Sequence, residues 1–454
     1  MTPASNFQDK KIAVLGFGLE GQVSVDYLLR HGAVVSVFDD NPSAAFPINL
    51  TANLEKRGVS FDHGAIPKLN AFDLVLRTPG VQTSHPALSG ARVTTATNIF
   101  LEHCPASVIG VTGTKGKGTT ATLIHEMVKA SGRKSYLGGN IGRPMLSFLD
   151  DLTSNDVAVI ELSSFQLIDA TRSPHVAVVL MVTSEHLDYH SDVTEYVAAK
   201  TGITRHQSAS DVVVVNADYE RSAHIAAQSP GRTVKVSART PLDAGCFIDH
   251  EKIILKRNDA VTEIVAVTDV KLVGRHNLEN VCAAVAAVAE VGVNQDAMRK
   301  VIRGFSGLPH RLEFVGEING ARYFNDSFAT TPESTVAAIE AFTEPLVLIL
   351  GGSGKNSDFT KLAEVLSHHD VRAVIGIGNE WPRLRSMLRF PPTTRLIENL
   401  STMQEIIDAA RGVARLGDVI LLSPACASFG MFTDYKDRGN QFRTTVQSQK
   451  NIGT

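Results

Sequence analysis

The chain has little cysteine for its length. Among 454 residues only Cys104, Cys246, Cys282 and Cys426 occur, far apart and without a C-x-x-C pair. Neither a structural zinc site nor a disulfide framework is suggested, and a reducing compartment fits. Net charge is also small. Lys plus Arg number 44 against 47 Asp plus Glu, a formal charge of -3, so no global basic field exists to draw in nucleic acid. No run of about 18 apolar residues occurs, which excludes a spanning helix. The polar start from Met1 to Lys11 lacks the basic-then-apolar order of a signal peptide. A cytoplasmic chain with no membrane insertion and no nucleic-acid partner is expected. Repeats, charge blocks and low-complexity tracts are missing too, which argues against solenoids and disordered tails.

What is present reads as globular: 43% hydrophobic and 20% charged residues, with 35 Gly and 18 Pro. At roughly 100 to 200 residues per domain, the length predicts two to four domains. Short β-branched runs recur, each followed by a Gly-rich or polar turn and then a longer helical pattern, which is the rhythm of parallel α/β architecture. Strands are expected at 11–15, 34–38, 74–76, 107–111, 157–162, 176–182, 212–215, 346–350, 373–377 and 419–422. Three α/β units follow, 1–105, 106–308 and 309–454. Their boundaries are set by Cys104-Pro105 before a fresh strand and by the interruption Gly307-Leu308-Pro309. A small antiparallel excursion is expected within 245–271.

The strongest motif is the apolar run 108–111 followed by Thr112-Gly113-Thr114-Lys115-Gly116-Lys117-Gly118-Thr119-Thr120 and a helical run over 121–130. Such a strand–loop–helix turns consecutive backbone N–H groups toward a triphosphate at a helix N-terminus, and a lysine, here Lys117, neutralises the β/γ oxygens. ATP binding is expected. Gly118 stands where a standard loop has the Mg²⁺-binding hydroxyl, which passes that role to Thr119. Glu161 closes a buried strand in Glu161-Leu162-Ser163-Ser164-Phe165-Gln166, where a carboxylate beside such a loop is placed to hold magnesium.

A second glycine loop, Gly16-Phe17-Gly18-Leu19-Glu20-Gly21, follows the first strand, with Asp39 and Asp40 closing the next. Its spacing is that of a dinucleotide fingerprint, yet any diphosphate-bearing nucleotide satisfies the same backbone geometry. Thr183-Ser184-Glu185-His186-Leu187-Asp188 follows another apolar strand and precedes a helix that delivers Lys200.

Together these motifs resemble the Mur ligases, which use ATP to join an amino acid to the carboxylate of a UDP-linked muramoyl precursor. The nucleotide loop, Gly138-Gly139-Asn140-Ile141-Gly142, the Glu161–Gln166 string, the stretch around His186, Lys200 and Gly274-Arg275-His276-Asn277-Leu278-Glu279-Asn280 look like central-domain motifs of that family. Leu308-Pro309-His310-Arg311, Asn325-Asp326-Ser327, Leu350-Gly351-Gly352 and Ser423-Pro424-Ala425-Cys426-Ala427-Ser428 look like its C-terminal domain. Within the family the likeness is strongest to members that add D-glutamate. It implies an N-terminal Rossmann-like UDP-binding domain, a central P-loop ATPase-like domain with a mostly parallel sheet, and a C-terminal Rossmann-like domain that binds the amino acid.

By this resemblance Gly113, Thr114, Lys115, Gly116, Lys117, Gly118, Thr119 and Thr120 hold ATP, with Asn277, Asn280, Arg311 and Asp326 as further nucleotide contacts. Thr119, Glu161, His186 and Lys200, the last carbamylated, surround two magnesium ions, and Lys117, Glu161, His186 and Lys200 form the catalytic set. Gly18, Leu19, Glu20, Asp39, Asp40, Thr78, Pro79 and Gly80 bind UDP; Asn140 and Ser163 face the muramoyl-alanine part. Thr330, Lys355, Ser428 and Tyr435 receive the glutamate. The implied substrates are UDP-N-acetylmuramoyl-L-alanine and D-glutamate, the chemistry runs through an acyl phosphate, and a monomer that closes its third domain over its second is expected.

Two departures bear on this. The D-glutamate-adding members commonly carry Asp-Ser-Lys-Ala-Thr, where this chain has Asp326-Ser327-Phe328-Ala329-Thr330, so a cation near the amino-acid site is missing and an L-glutamate-adding variant stays open. Gly118 also resembles the loop of folylpolyglutamate synthases, which lack an N-terminal UDP domain. An NAD-dependent oxidoreductase would leave the nucleotide loop unexplained. A regulatory ATPase would need neither carboxylate nor amine, and a cell-wall amidating subunit would carry a zinc-binding cysteine cluster.

Overall fold

The computed structural model describes residues 7–40, 48–183, 189–258, 260–354 and 357–450. Three sheets, flanked by helices, follow one another along the chain. The first is wholly parallel, in the spatial order Ser60–His63, Val34–Asp39, Lys11–Leu15, Leu74–Arg77, Val93–Thr94. The second has nine strands, in the order Ala260–Ala266, Lys252–Arg257, Gly245–Asp249, Arg232–Ser237, Val212–Asn216, Val176–Val179, Ser107–Thr112, Val157–Glu161, Ser135–Gly139. Its first two pairings are antiparallel, so the expected excursion is a three-stranded meander that extends the parallel sheet. The third runs Glu313–Ile318, Ala321–Asn325, Val419–Leu422, Leu346–Gly351, Val371–Ile377, Arg395–Ile397, with only the first pair antiparallel.

The central strands are buried along their whole length, as parallel strands covered on both faces must be. The strand expected at 176–182 ends at Val179. Beyond it Leu180 N–H still reaches Thr112 O at 3.0 Å, but Met181 O accepts from Thr114 N–H at 2.7 Å, so the nucleotide loop takes over the bonding that a longer ladder would use.

Two compact units result. One holds the first two sheets, up to Val270 and again over His276–Arg303; the other holds Lys271–Arg275 and the chain described from Gly304 onward. In the first unit one apolar core runs from Ile12, Val14 and Val37 through Phe100, Met145, Phe148 and Leu149 to Ile160 and Val213, and a smaller cluster around Leu15, Phe38 and Val75 packs separately against the first sheet. Phe100 and Phe148 meet edge to face at 5.7 Å where the two sheets adjoin. In the first two sheets the glycine loop, Thr78, the nucleotide loop and Glu161 stand at strand C-termini beside a reversal in strand order, which is where open α/β sheets bind ligands.

Candidate active site

The nucleotide loop connects Ser107–Thr112 to the helix Lys117–Ala130, whose N-cap Gly116 is left-handed at φ 86° and makes no side-chain cap among the described residues. A Cβ at Gly116 would collide with Asn280 Oδ1, so the helix Arg275–Glu290 abuts the loop. Asn280 Nδ2 donates to Asn277 Oδ1 at 3.1 Å, and this brings the expected nucleotide pair to the loop. Lys117 Nζ folds back onto Gly113 O and Thr114 O, both at 3.0 Å. Lys200, only 1% exposed at the end of the helix Val193–Lys200, sends its Nζ to the same Gly113 O at 3.1 Å and to Thr112 Oγ1 at 3.5 Å. Two ammonium groups therefore converge on one carbonyl. Such a place attracts anions. Thr119 is the third residue of the helix and half-buried; Thr120 is buried, and its Oγ1 has no hydrogen-bond partner among the described residues.

Glu161 lies in register beside Val111, just before the loop, and beside Gly139 on its other side. Its carboxylate is 4% exposed, accepts from Asn140 Nδ2 at 3.1 Å and forms no salt bridge among the described residues. Thr112 Oγ1 donates to Leu162 O at 2.8 Å and accepts from Lys200, which ties the Glu161 strand to the Lys200 helix. Ser163 is the N-cap of the helix Ser164–Leu167 and forms a capping box with Gln166, so its hydroxyl is engaged at 3.1 Å with Gln166 Oε1 rather than left free.

In the first sheet, Thr78 Oγ1 donates to Leu15 O at 3.0 Å and joins the strand end that bears Thr78, Pro79 and Gly80 to the glycine loop. Phe17 N–H donates to Asp39 Oδ2 at 2.9 Å, which closes that loop onto the next strand. Gly18 caps the helix Leu19–Arg30 and is open, Leu19 is exposed, and Asp40 is exposed with a 3.3 Å contact to His85. Glu20 Oε2 accepts from Gln166 Nε2 at 2.9 Å, so the carboxyl turns toward the second sheet.

In the second unit, Asp326 is buried and accepts from Ser423 Oγ at 2.8 Å and Leu312 N–H at 3.2 Å. Burial pushes its carboxyl up to about 7, against the lowering effect of Ser423 and of the Arg311 charge. The Arg311 guanidinium lies 4.0 Å above the Phe328 ring, and Tyr435 meets the same ring edge to face at 5.0 Å. A cation thus stands at Phe328 although the lysine is absent. Thr330 N–H donates to Phe328 O at 2.8 Å, and Ser428 is buried at the loop after Val419–Leu422. His186 and Lys355 lie outside the described residues.

Three family models match in succession: the Mur ligase MurD-like N-terminal domain at 10–99, the Mur ligase middle domain at 111–288 and the Mur ligase glutamate ligase domain at 310–426. The UDP-N-acetylmuramoylalanine–D-glutamate ligase of Acetivibrio thermocellus is 38% identical over 458 residues, 97% of either chain. The chain belongs to the Mur ligase family. The ligase of the same name from Clostridium tetani is 36% identical to this Mur ligase over 452 residues, again 97% of either chain. The fold is shared with the MurF ligase of Thermotoga maritima, solved in complex with ADP, at TM-score 0.59 and 17% identity, with 98% of this chain and 97% of that one covered.

Sequence reasoning about this Mur ligase missed Arg77, Asp169 and Tyr196. Arg77 is fully buried; it binds Asp169 through Nε at 2.9 Å and Nη2 at 2.6 Å and donates to the carbonyls of Thr78, Val81 and Phe165. Only a bidentate guanidinium fills such a site. Tyr196 bonds Thr114 Oγ1 at 3.0 Å and lies 4.6 Å beneath Lys200 Nζ. A charged residue ending an apolar strand, as Arg77 does, was the one available signal.

Proposed function

We propose that this Mur ligase adds D-glutamate to UDP-N-acetylmuramoyl-L-alanine with consumption of ATP, in cytoplasmic peptidoglycan precursor synthesis, and acts as a monomer. The observation that carries the reading is the convergence of Lys117 and Lys200 on the Gly113 carbonyl, one strand from Glu161. The full-length likeness to D-glutamate ligases supports the choice of amino acid.

In this reading the loop N–H groups and Lys117 neutralise the triphosphate. The substrate carboxylate then approaches without prohibitive repulsion, its oxygen bonds to the γ-phosphorus, and the bond from that phosphorus to ADP breaks. The glutamate amine attacks the acyl carbon, phosphate departs, and an amide remains. Asn277, Asn280, Arg311 and Asp326 are assigned to the nucleotide as well. Magnesium supplies further charge neutralisation when bound. Thr119, Glu161, His186 and carbamylated Lys200 are the residues proposed to hold it. A buried carboxylate with no cationic partner among the described residues, as at Glu161, fits that role. Carbamylation fits an amine crowded by a second ammonium, because it replaces a positive group with a negative one.

The glycine loop at 16–21, Asp39, Asp40 and Thr78–Gly80 are assigned to the UDP moiety, Asn140 and Ser163 to muramoyl-alanine, and Thr330, Lys355, Ser428 and Tyr435 to glutamate. The test is phosphate release with ATP, magnesium and UDP-N-acetylmuramoyl-L-alanine, comparing D-glutamate, L-glutamate and no amino acid, with product mass measured. Turnover and added mass with D-glutamate alone are expected. Preference for L-glutamate would tie Phe328 to a change of handedness, and turnover with neither would refute the ligase assignment.

A further inference from the structure

Glu20 is an acid set in a loop whose backbone geometry suits a diphosphate. It occupies the first turn of the helix Leu19–Arg30, just after the open N-cap Gly18. One carboxyl oxygen accepts from Gln166 Nε2 at 2.9 Å; the other, Oε1, is shielded from solvent and has no hydrogen-bond partner among the described residues. Gln166 cannot turn its carbonyl away to help, because its Oε1 accepts from Ser163 N–H and Oγ, both at 3.1 Å. The charged group acting on Glu20 is Arg77, from the end of Leu74–Arg77, and Arg77 is already paired with Asp169. Across the loop, Asp39 on the neighbouring strand carries a further carboxylate, engaged by Phe17 N–H. Ionised, Glu20 would place a negative charge on a solvent-shielded oxygen with no donor among the described residues, an arrangement that favours the protonated form. Burial accordingly raises its pKa, opposed by Gln166 and Arg77. A diphosphate at Gly18 and Leu19 adds two negative charges beside this acid.

We propose that Glu20 makes binding of the sugar nucleotide proton-linked, taking up a proton when the diphosphate docks, so that the loop accepts a dianion while carrying an acid. The inference rests on the assignment of this loop to UDP. Affinity for the sugar nucleotide then falls as pH rises, by at most tenfold per pH unit for one linked proton.

The test is calorimetric binding of UDP-N-acetylmuramoyl-L-alanine, whose diphosphate diester does not titrate near neutrality, to the full chain between pH 5 and 9. Pairs of buffers with different ionisation enthalpies count the protons taken up. The wild type is expected to take up a fraction of a proton approaching one within this range. Glu20→Gln, near-isosteric and fixed in the neutral state, is expected to bind without that share of uptake and to lose that share of the pH dependence. Glu20→Ala, which cannot titrate either, should likewise lack it, and ATP binding to each variant checks that the fold is intact. Equal uptake in wild type and Glu20→Gln, or none in the wild type at any pH, would overturn the proposal. Failure of the wild type to bind the sugar nucleotide while it still binds ATP would instead overturn the UDP assignment of the loop, and this inference with it.

Discussion

At the residue scale, the shared acceptor of Lys117 and Lys200 makes the two lysines separable by experiment. Lys117→Met should lower kcat/KM by about 10²- to 10³-fold, the effect of removing one preorganised charge from a transferring phosphoryl group. If Lys200 carries a carbamate, activity should fall in CO₂-depleted buffer and return with bicarbonate, whereas Lys200→Ala should be inactive in both. Asp326 gives a third readout. Its carboxyl stands at about 7 when folded against an ordinary value of 3.8. The folded state therefore holds the extra proton between those values. The stability contributed is full below the unfolded pKa and is lost as pH rises through about 7, at no more than about 1.4 kcal/mol per pH unit. Denaturant unfolding of Asp326→Asn across pH 4 to 8 should lack that slope.

At the scale of elements, the Gly116 junction links backbone conformation to nucleotide binding. Gly116→Ala forces a side chain into a left-handed residue, which costs about 1 to 2 kcal/mol, and drives its Cβ into Asn280. A KM for ATP raised at least tenfold is expected, with Asn280→Ala relieving part of the loss of stability in thermal melts. Elements of this kind were legible in advance. The apolar runs at 11–15 and 419–422 are strands with those bounds, and the nucleotide loop sits at a strand-to-helix junction. Strands with a weak apolar signal escaped notice: Ser60–His63 has one half-buried phenylalanine, Arg232–Ser237 has only two apolar residues, and Ser135–Gly139 ends in two glycines. The contact of Glu20 was not legible, because its partner Gln166 lies 146 positions away, beside the second sheet. Arg77 was hidden for the same reason: Asp169 lies 92 positions away.

For the molecule as a whole, the continuous core of the first unit predicts that its two sheets unfold together. Phe148→Ala removes a ring that contacts both Phe100 and Tyr136 and should cost about 3 to 5 kcal/mol. Hydrogen exchange followed by mass spectrometry should report one coincident opening of both sheets of this unit, not an early loss of the first sheet alone. A fragment spanning 106–308 would expose Met145, Leu146, Phe148 and Leu149 to water, and aggregation is expected on expression.

The Arg77 cluster has a consequence for how such ligases can be recombined. A first sheet transplanted from a relative would meet Asp169 and the Phe165 carbonyl with whatever side chain that relative carries at position 77. Any mismatch would leave the half-buried acid Asp169 without its cation, or a buried guanidinium unpaired. The natural crossover point is therefore not the loop near residue 105, where the chain looks divisible. A functional chimera would have to carry residues 165–171 along with the donor sheet, a graft from two distant stretches of the gene.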